Sequence, residues 1–116
     1  MAIKGEKRRL GFRGERRAVK YLKKGGYKIL HRNYKCPFGE IDVIAQKDGA
    51  VCFVEVKTRS GDDFGAPNEA VNSTRQARYK NSARYYFTNK DADFTVRFDI
   101  IEVTKEGINH IENAFY

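Results

Sequence analysis

Long apolar runs are missing from this sequence: the longest uninterrupted one is Ala50 to Val54. A membrane-spanning helix needs about 20 such residues, so none is expected. The basic N-terminus is followed by no apolar segment of the kind a secretory signal carries. Cysteine is scarce. Cys36 and Cys52 are too few for a disulfide scaffold and lack the spacing of zinc ligands. With two prolines there is no proline-rich linker, and no repeat or low-complexity tract occurs. Asn72-Ser73-Thr74 matches a glycosylation acceptor, but with no secretion signal the match is read as coincidence. The expectation is a protein of a reducing, cytoplasmic compartment with no membrane segment.

What is present is enough for one folded domain. The 116 residues are 41% hydrophobic and 13% aromatic, which excludes a disordered tail. Residues 1–116 are read as a single domain, with residues 1–6 expected to fray. The net charge of +8 is unevenly spread. Residues 1–35 hold thirteen Lys or Arg against Glu6 and Glu15, whereas residues 36–116 hold ten against thirteen acids. A second basic stretch, Ser73 to Lys90, carries Arg75, Arg78, Lys80, Arg84 and Lys90 with no acid. Two basic segments in an otherwise acidic chain form a footprint for a polyanion. Nucleic acid comes first, an anionic membrane second, and a basic surface that only aids solubility is the plain alternative.

Apolar spacing predicts a helix from about Lys7 to Lys24, with Gly11, Glu15, Ala18, Val19 and Leu22 on one face. Gly25-Gly26 ends it. Strands are expected at Tyr27 to Tyr34, Glu40 to Lys47 and Ala50 to Thr58. The last two are joined by Asp48-Gly49, a strong hairpin signal. Ser60 to Pro67 reads as a loop and a candidate substrate flap, although Asp62 and Asp63 oppose close phosphate contact. A second helix is expected from Ser73 to Asn89, then strands at Thr95 to Thr104 and Ile108 to Phe115. The order α-β-β-β-α-β-β predicts a mixed sheet with helices against it, an α/β or α+β sandwich of three layers.

The hairpin places chemistry. With Asp48-Gly49 as a two-residue loop, Ile44 faces Phe53, Asp42 faces Glu55 and Glu40 faces Lys57. By alternation, Val51, Phe53, Glu55 and Lys57 share a face with Glu40, Asp42, Ile44 and Gln46. Ile41, Val43, Ala45, Cys52, Val54 and Val56 share the other. Opposed carboxylates beside apolar packing repel unless they share a proton or a divalent cation. A solvated ladder neutralised by Lys57 and Arg59 is the alternative. Glu15, an acid on an apolar helix stripe, needs an Arg partner or a metal. Asp99, between Phe98 and Ile100, is expected to pair with an Arg such as Arg59. His31 and His110 stand apart from other ligand types and are read as structural.

Asp42 with Glu55-Val56-Lys57 resembles the PD-(D/E)xK signature of restriction-endonuclease-like nucleases, and the element order resembles their common core. Gly39-Glu40-Ile41-Asp42-Val43-Ile44-Ala45, Phe53-Val54-Glu55-Val56-Lys57-Thr58-Arg59 and Arg97-Phe98-Asp99 look like the YraN-like family of small bacterial proteins. That likeness runs from about Gly11 to Val103. The family is also similar to archaeal Holliday-junction resolvases, which carry an early-helix glutamate where Glu15 sits. Ile41 stands where the signature has Pro, a position that is not a ligand.

The resemblance implies an α/β restriction-endonuclease-like core, a mixed central sheet flanked by helices. It implies Mg2+ or Mn2+ held by Asp42, Glu55 and the carbonyl of Val56, with Glu15 ligating through water or a second metal. Lys57 would position or deprotonate water and stabilise charge on phosphate. Gln76, on a helix where related nucleases often carry Gln or Lys, joins the candidate catalytic set. Ser73-x-x-Gln76 also reads as a capping box, and the two roles are compatible. Glu40 would orient Lys57 or form a plain ion pair.

Arg13, Arg16, Arg17, Lys20, Arg75 and Arg78 are candidates for phosphate contacts, and Tyr79 for stacking on a base. DNA is favoured over RNA. The expected activity is metal-dependent phosphodiester hydrolysis on structured or branched DNA. A junction resolvase would act as a homodimer. The alternative is a non-catalytic nucleic-acid-binding accessory of repair or recombination on the same fold.

Overall fold

The computed structural model describes residues 4–59, 73–88, 90 and 94–115, and of residues 4–12 the backbone alone. The expected loop Ser60 to Pro67, Asn72 of the glycosylation match and residues 1–3 lie outside the described residues. Helix α1 spans Lys4–Lys24, starting three residues before the expected Lys7. Strands β1 (Lys28–Cys36), β2 (Gly39–Lys47) and β3 (Ala50–Thr58) follow, then α2 (Ser73–Phe87), β4 (Thr95–Thr104) and β5 (Gly107–Phe115). One sheet holds all five strands in the order β1-β2-β3-β4-β5. Neighbours are antiparallel except β3 and β4, which run parallel through the connection that contains α2.

Local chemistry sets the boundaries. Tyr27 N–H donates to Leu22 O (2.9 Å) and Gly26 N–H to Lys23 O (3.1 Å), while Gly26 adopts φ 90°. This is the Schellman closure, and the left-handed residue is the one type without a Cβ to clash. Asp48 (φ 49°) and Gly49 (φ 79°) form the tight turn their sequence predicts, so Lys47 pairs Ala50 and Ile44 pairs Phe53.

The helices cover opposite faces of the sheet. Ala18, Val19 and Leu22 of α1 pack on Val43, Ala45, Cys52, Val54, Ile101 and Val103. Tyr79, Ala83 and Tyr86 of α2 pack on Ile41, Ile44, Val51, Phe53, Phe98 and Ile100. The result is the expected three-layer α/β sandwich. Among the described residues no helix is long and apolar enough to cross a membrane.

Two expectations about β2 fail, for one reason. The β2–β3 ladder ends at the Val43–Val54 pair, so Asp42 and Glu55 are not a rung. Asp42 Oδ2 instead accepts the Val56 N–H at 2.8 Å, a side chain standing in for the partner strand. Ile41 also leaves the α1 face and joins Ile44 on the α2 face. The strict period of two breaks where β1 carries Asn33 at φ 52°.

Gly14 fixes how closely α1 lies on the sheet. It is buried, and a Cβ there would run into Thr58 Oγ1. In an unobstructed helix, Gly→Ala gains about 1 kcal/mol. Here Gly14→Ala is expected to destabilise the fold by about 1–3 kcal/mol through overpacking. Thr58→Ala in the same chain should recover part of the loss. A thermal midpoint that rises in Gly14→Ala would show that α1 does not sit this close.

Candidate functional site

The acidic centre forms where β2 and β3 part. Alternation along β3 sends Glu55 and Lys57 toward α2, whereas Thr58 meets Gly14 of α1 on the other face. Glu55 is 2% exposed. Its Oε1 takes two cations, Lys57 Nζ at 3.1 Å and Arg75 Nη1 at 3.2 Å. Among the described residues its Oε2 is buried with no hydrogen-bond partner. A buried charged oxygen left with open lone pairs is costly unless the site uses it.

Asp42 sits beside this pair. Burial pushes its carboxyl up to about 7, against the opposing Val56 N–H bond, and the charges of Glu15, Glu55 and Glu40 push the same way. Glu15 is half-buried and also raised, first by burial. With its amide oriented to satisfy both acids, Asn33 donates to Glu15 Oε2 and Glu40 Oε1, each at 3.2 Å. Glu15 therefore meets Asn33 where an arginine partner was the alternative. Glu40 joins Glu15 and Asn33, a correction to its expected place opposite Lys57, whose ion pair is with Glu55.

The donor set fits a hard divalent cation that keeps several waters. Asp42 and Glu55 offer carboxylate oxygens, and Glu55 Oε2 is the orphaned one. The N–H and C=O of a strand residue point the same way, so the Val56 carbonyl lies on the Asp42 side as its N–H does. Among the described residues no three His, Cys, Asp or Glu side chains converge closely enough to hold an ion by themselves. Waters and the carbonyl would have to complete the shell.

The basic candidates divide. Arg13, Arg16, Arg17 and Lys20 are exposed on α1, and with Arg32 of β1 they line a groove of about 600 Å3. Arg17 is steadied by a bond from Nη1 to Thr104 O (3.0 Å). Arg75 and Arg78 are exposed on α2, and Arg75 also reaches Glu55. Gln76 lies on the same first turn, half-buried. Tyr79 is corrected: it is 4% exposed, packs edge-on against Phe115 and interacts with Glu55, so it has no open face for a base. Tyr85 is the exposed ring on that helix.

Asp99 is corrected too. Arg59 pairs with Glu102 (3.2 Å), and fully buried Asp99 takes Arg97 Nε (2.9 Å) and Nη2 (2.8 Å). His110 Nε2 lies 2.7 Å away, and Asn113 N–H adds a bond of 3.0 Å. Burial raises its pKa, but the bonds from His110, Arg97 and Asn113 together outweigh that and lower it. The cluster spans a register shift between β4 and β5, where the carboxylate replaces a missing rung. His110 is thus structural, as expected, but not alone. The signs in the sequence are an acid inside an apolar strand and Arg97 two residues before it, on the same face.

Comparison with known proteins covers this whole region. A UPF0102 protein of Thermodesulfovibrio yellowstonii is 46% identical over 107 residues, which make up 92% of this chain and 96% of that protein. Another from Caldicellulosiruptor saccharolyticus is 46% identical over 116 residues, 94% of this chain and 98% of the relative. One from Alkaliphilus oremlandii is 47% identical over 115 residues, 93% of this chain and 98% of the relative. A family model described as uncharacterised protein family UPF0102 matches residues 14–103, a span that opens at the glycine packed on Thr58 and contains every acid and cation of the centre. The chain therefore belongs to the UPF0102 family.

Proposed function

We propose that this protein is a divalent-metal-dependent nuclease that hydrolyses phosphodiester bonds in structured or branched DNA. The observation that carries this reading is Glu55: a buried carboxylate with Lys57 and Arg75 on one oxygen and, among the described residues, no hydrogen-bond partner on the other, beside Asp42 at the fork of two strands. A purely structural acid in so dry a place is expected to have both oxygens satisfied, as Asp99 has.

Asp42, Glu55 and the Val56 carbonyl would hold Mg2+ or Mn2+, with Glu15 at the margin through water. The bound cation would supply Lewis-acid polarisation of the phosphoryl group and ease ionisation of water. Lys57 holds its ammonium beside Glu55, where it orients the attacking water and meets the negative charge that grows on phosphate. Water oxygen joins phosphorus, the bond to the leaving sugar oxygen breaks, and that oxygen takes up a proton. Arg13, Arg16, Lys20 and Arg32 follow the phosphate backbone without reading sequence. Gln76 shares the first turn of α2 with Arg75, which reaches Glu55, and Arg78 lies near Gly39 at the start of β2.

The test is cleavage of single-strand, duplex, flap and four-way-junction DNA with magnesium, manganese or EDTA. Metal-dependent cutting, with a preference among the four substrates, is the expected result. Salt-sensitive binding to all four without cutting under any metal would overturn the nuclease reading in favour of the accessory one.

A further inference from the structure

At the C-terminal ends of the parallel strands β3 and β4, α1 closes over a cavity of about 230 Å3. Arg13 and Arg17 of α1, Thr58 and Arg59 at the end of β3, and Lys105 from the β4–β5 turn line it. Among the described residues four cationic side chains thus share one small cavity, and no acidic one lines it. Arg17 and Arg59 are each anchored on one side, by Thr104 O and by Glu102. A guanidinium has five N–H donors, so such anchoring aims the remaining ones. Arg13 and Lys105 form no ion pair among the described residues.

Cations kept only for solubility are best spread over solvated faces. Gathering four of them, with Arg59 offset by Glu102, costs mutual repulsion that an anion would relieve. Gly14 shapes the site, because α1 can lie on Thr58 only without a Cβ at that position. The cavity adjoins the basic groove of α1, since Arg13 and Arg17 line both. A backbone phosphodiester carries one charge and runs along a groove. A phosphomonoester carries nearly two and ends a strand, which suits a small cavity with four cations.

We propose that this cavity is a phosphomonoester subsite, which takes the terminal phosphate of a nucleic-acid strand lying in the α1 groove. It rests on the nucleic-acid reading above and narrows the substrate to strands with a phosphorylated end. On β3, Thr58 directly follows Lys57, so the subsite neighbours the proposed reacting centre across the sheet.

The test is equilibrium binding, in EDTA so that no cleavage enters, of one short single strand bearing a 5′-phosphate, a 3′-phosphate or only hydroxyl ends. One phosphorylated form is expected to bind at least about tenfold more tightly than the hydroxyl form, the effect of one charge-assisted hydrogen bond. In the Lys105→Glu variant, an exposed position outside the α1 groove, that ratio should fall to near one while the hydroxyl-ended strand still binds. Inorganic phosphate should bind the wild type far more weakly than the phosphorylated strand. Equal affinity for all three strands overturns the subsite, as does a preference that survives in the variant. Free phosphate binding as tightly as the strand overturns it too. A protein that cuts DNA with magnesium yet shows no end preference defeats this subsite alone. One that binds no strand defeats the nucleic-acid reading with it.

Discussion

Lys57→Ala is expected to lower metal-dependent DNA cleavage by about a hundredfold or more, the usual cost of losing one donor aimed at developing charge. The loss should fall on kcat. Lys57 is one cation among the many that face a phosphate backbone, so DNA affinity in EDTA should stay within about threefold. The fold should survive, because Arg75 still pairs with Glu55 Oε1 when the lysine is gone. Lys57→Arg should not restore the rate. A planar fork cannot put a compact ammonium 3.1 Å from Glu55 Oε1 and leave the phosphate side open. Glu55→Gln should lose the rate as well, and with it the stabilisation that added Mn2+ gives the wild type. Unchanged cleavage in Lys57→Ala would remove the lysine from the reaction.

Asp42 and Glu15, both half-buried, show why the centre is partly legible in the sequence. Asp-Gly at a hairpin fixes the register of its flanking strands, and that register predicted every rung from Val43–Val54 to the turn. Beyond Val43 the rule fails, because Asp42 uses its side chain in place of the ladder. No period of two contains that substitution, and Ile41 was assigned to the wrong face with it. Glu15 could be singled out because a charge on an apolar helix stripe breaks a strong pattern. Its partner could not, since Asn33 comes from another element, at a backbone angle uncommon for a residue other than glycine.

The same physics accounts for the misses elsewhere. Asp99 was recognised as a buried acid in need of cations, but the chosen Arg59 pairs with Glu102. Arg97 shares the face of Asp99 by the period of two on β4, whereas His110 is brought in by an irregular β4–β5 pairing that spacing does not encode. Tyr79, set among basic residues, reads in the sequence as a ring free to stack on a base. The helix gives that position to the core, with Ala83 and Tyr86 at the following turns.

Asp42→Asn is the substitution expected to stabilise the protein, and the gain should depend on pH. The unfolded carboxyl titrates near its ordinary 3.8 and the folded one near 7. Between those values the folded chain holds a proton that the unfolded chain has released. Stability therefore falls as pH rises through that window, by about 1.4 kcal/mol per unit, and levels off above 7. Asn carries no such charge, and its carbonyl oxygen can still accept the Val56 N–H. Urea unfolding should show the variant's advantage over wild type growing by about 3 kcal/mol between pH 5 and pH 8. An advantage equal at both pH values would locate its cause outside this carboxyl. Mg2+ or Mn2+ at pH 8 should raise the stability of the wild type, since an ion bound only by the folded state shifts the equilibrium toward it. The variant should respond far less. The buried carboxylate that weakens the apo fold would then be the group that draws in the cation, so the fold would give up stability where the proposed reaction requires charge.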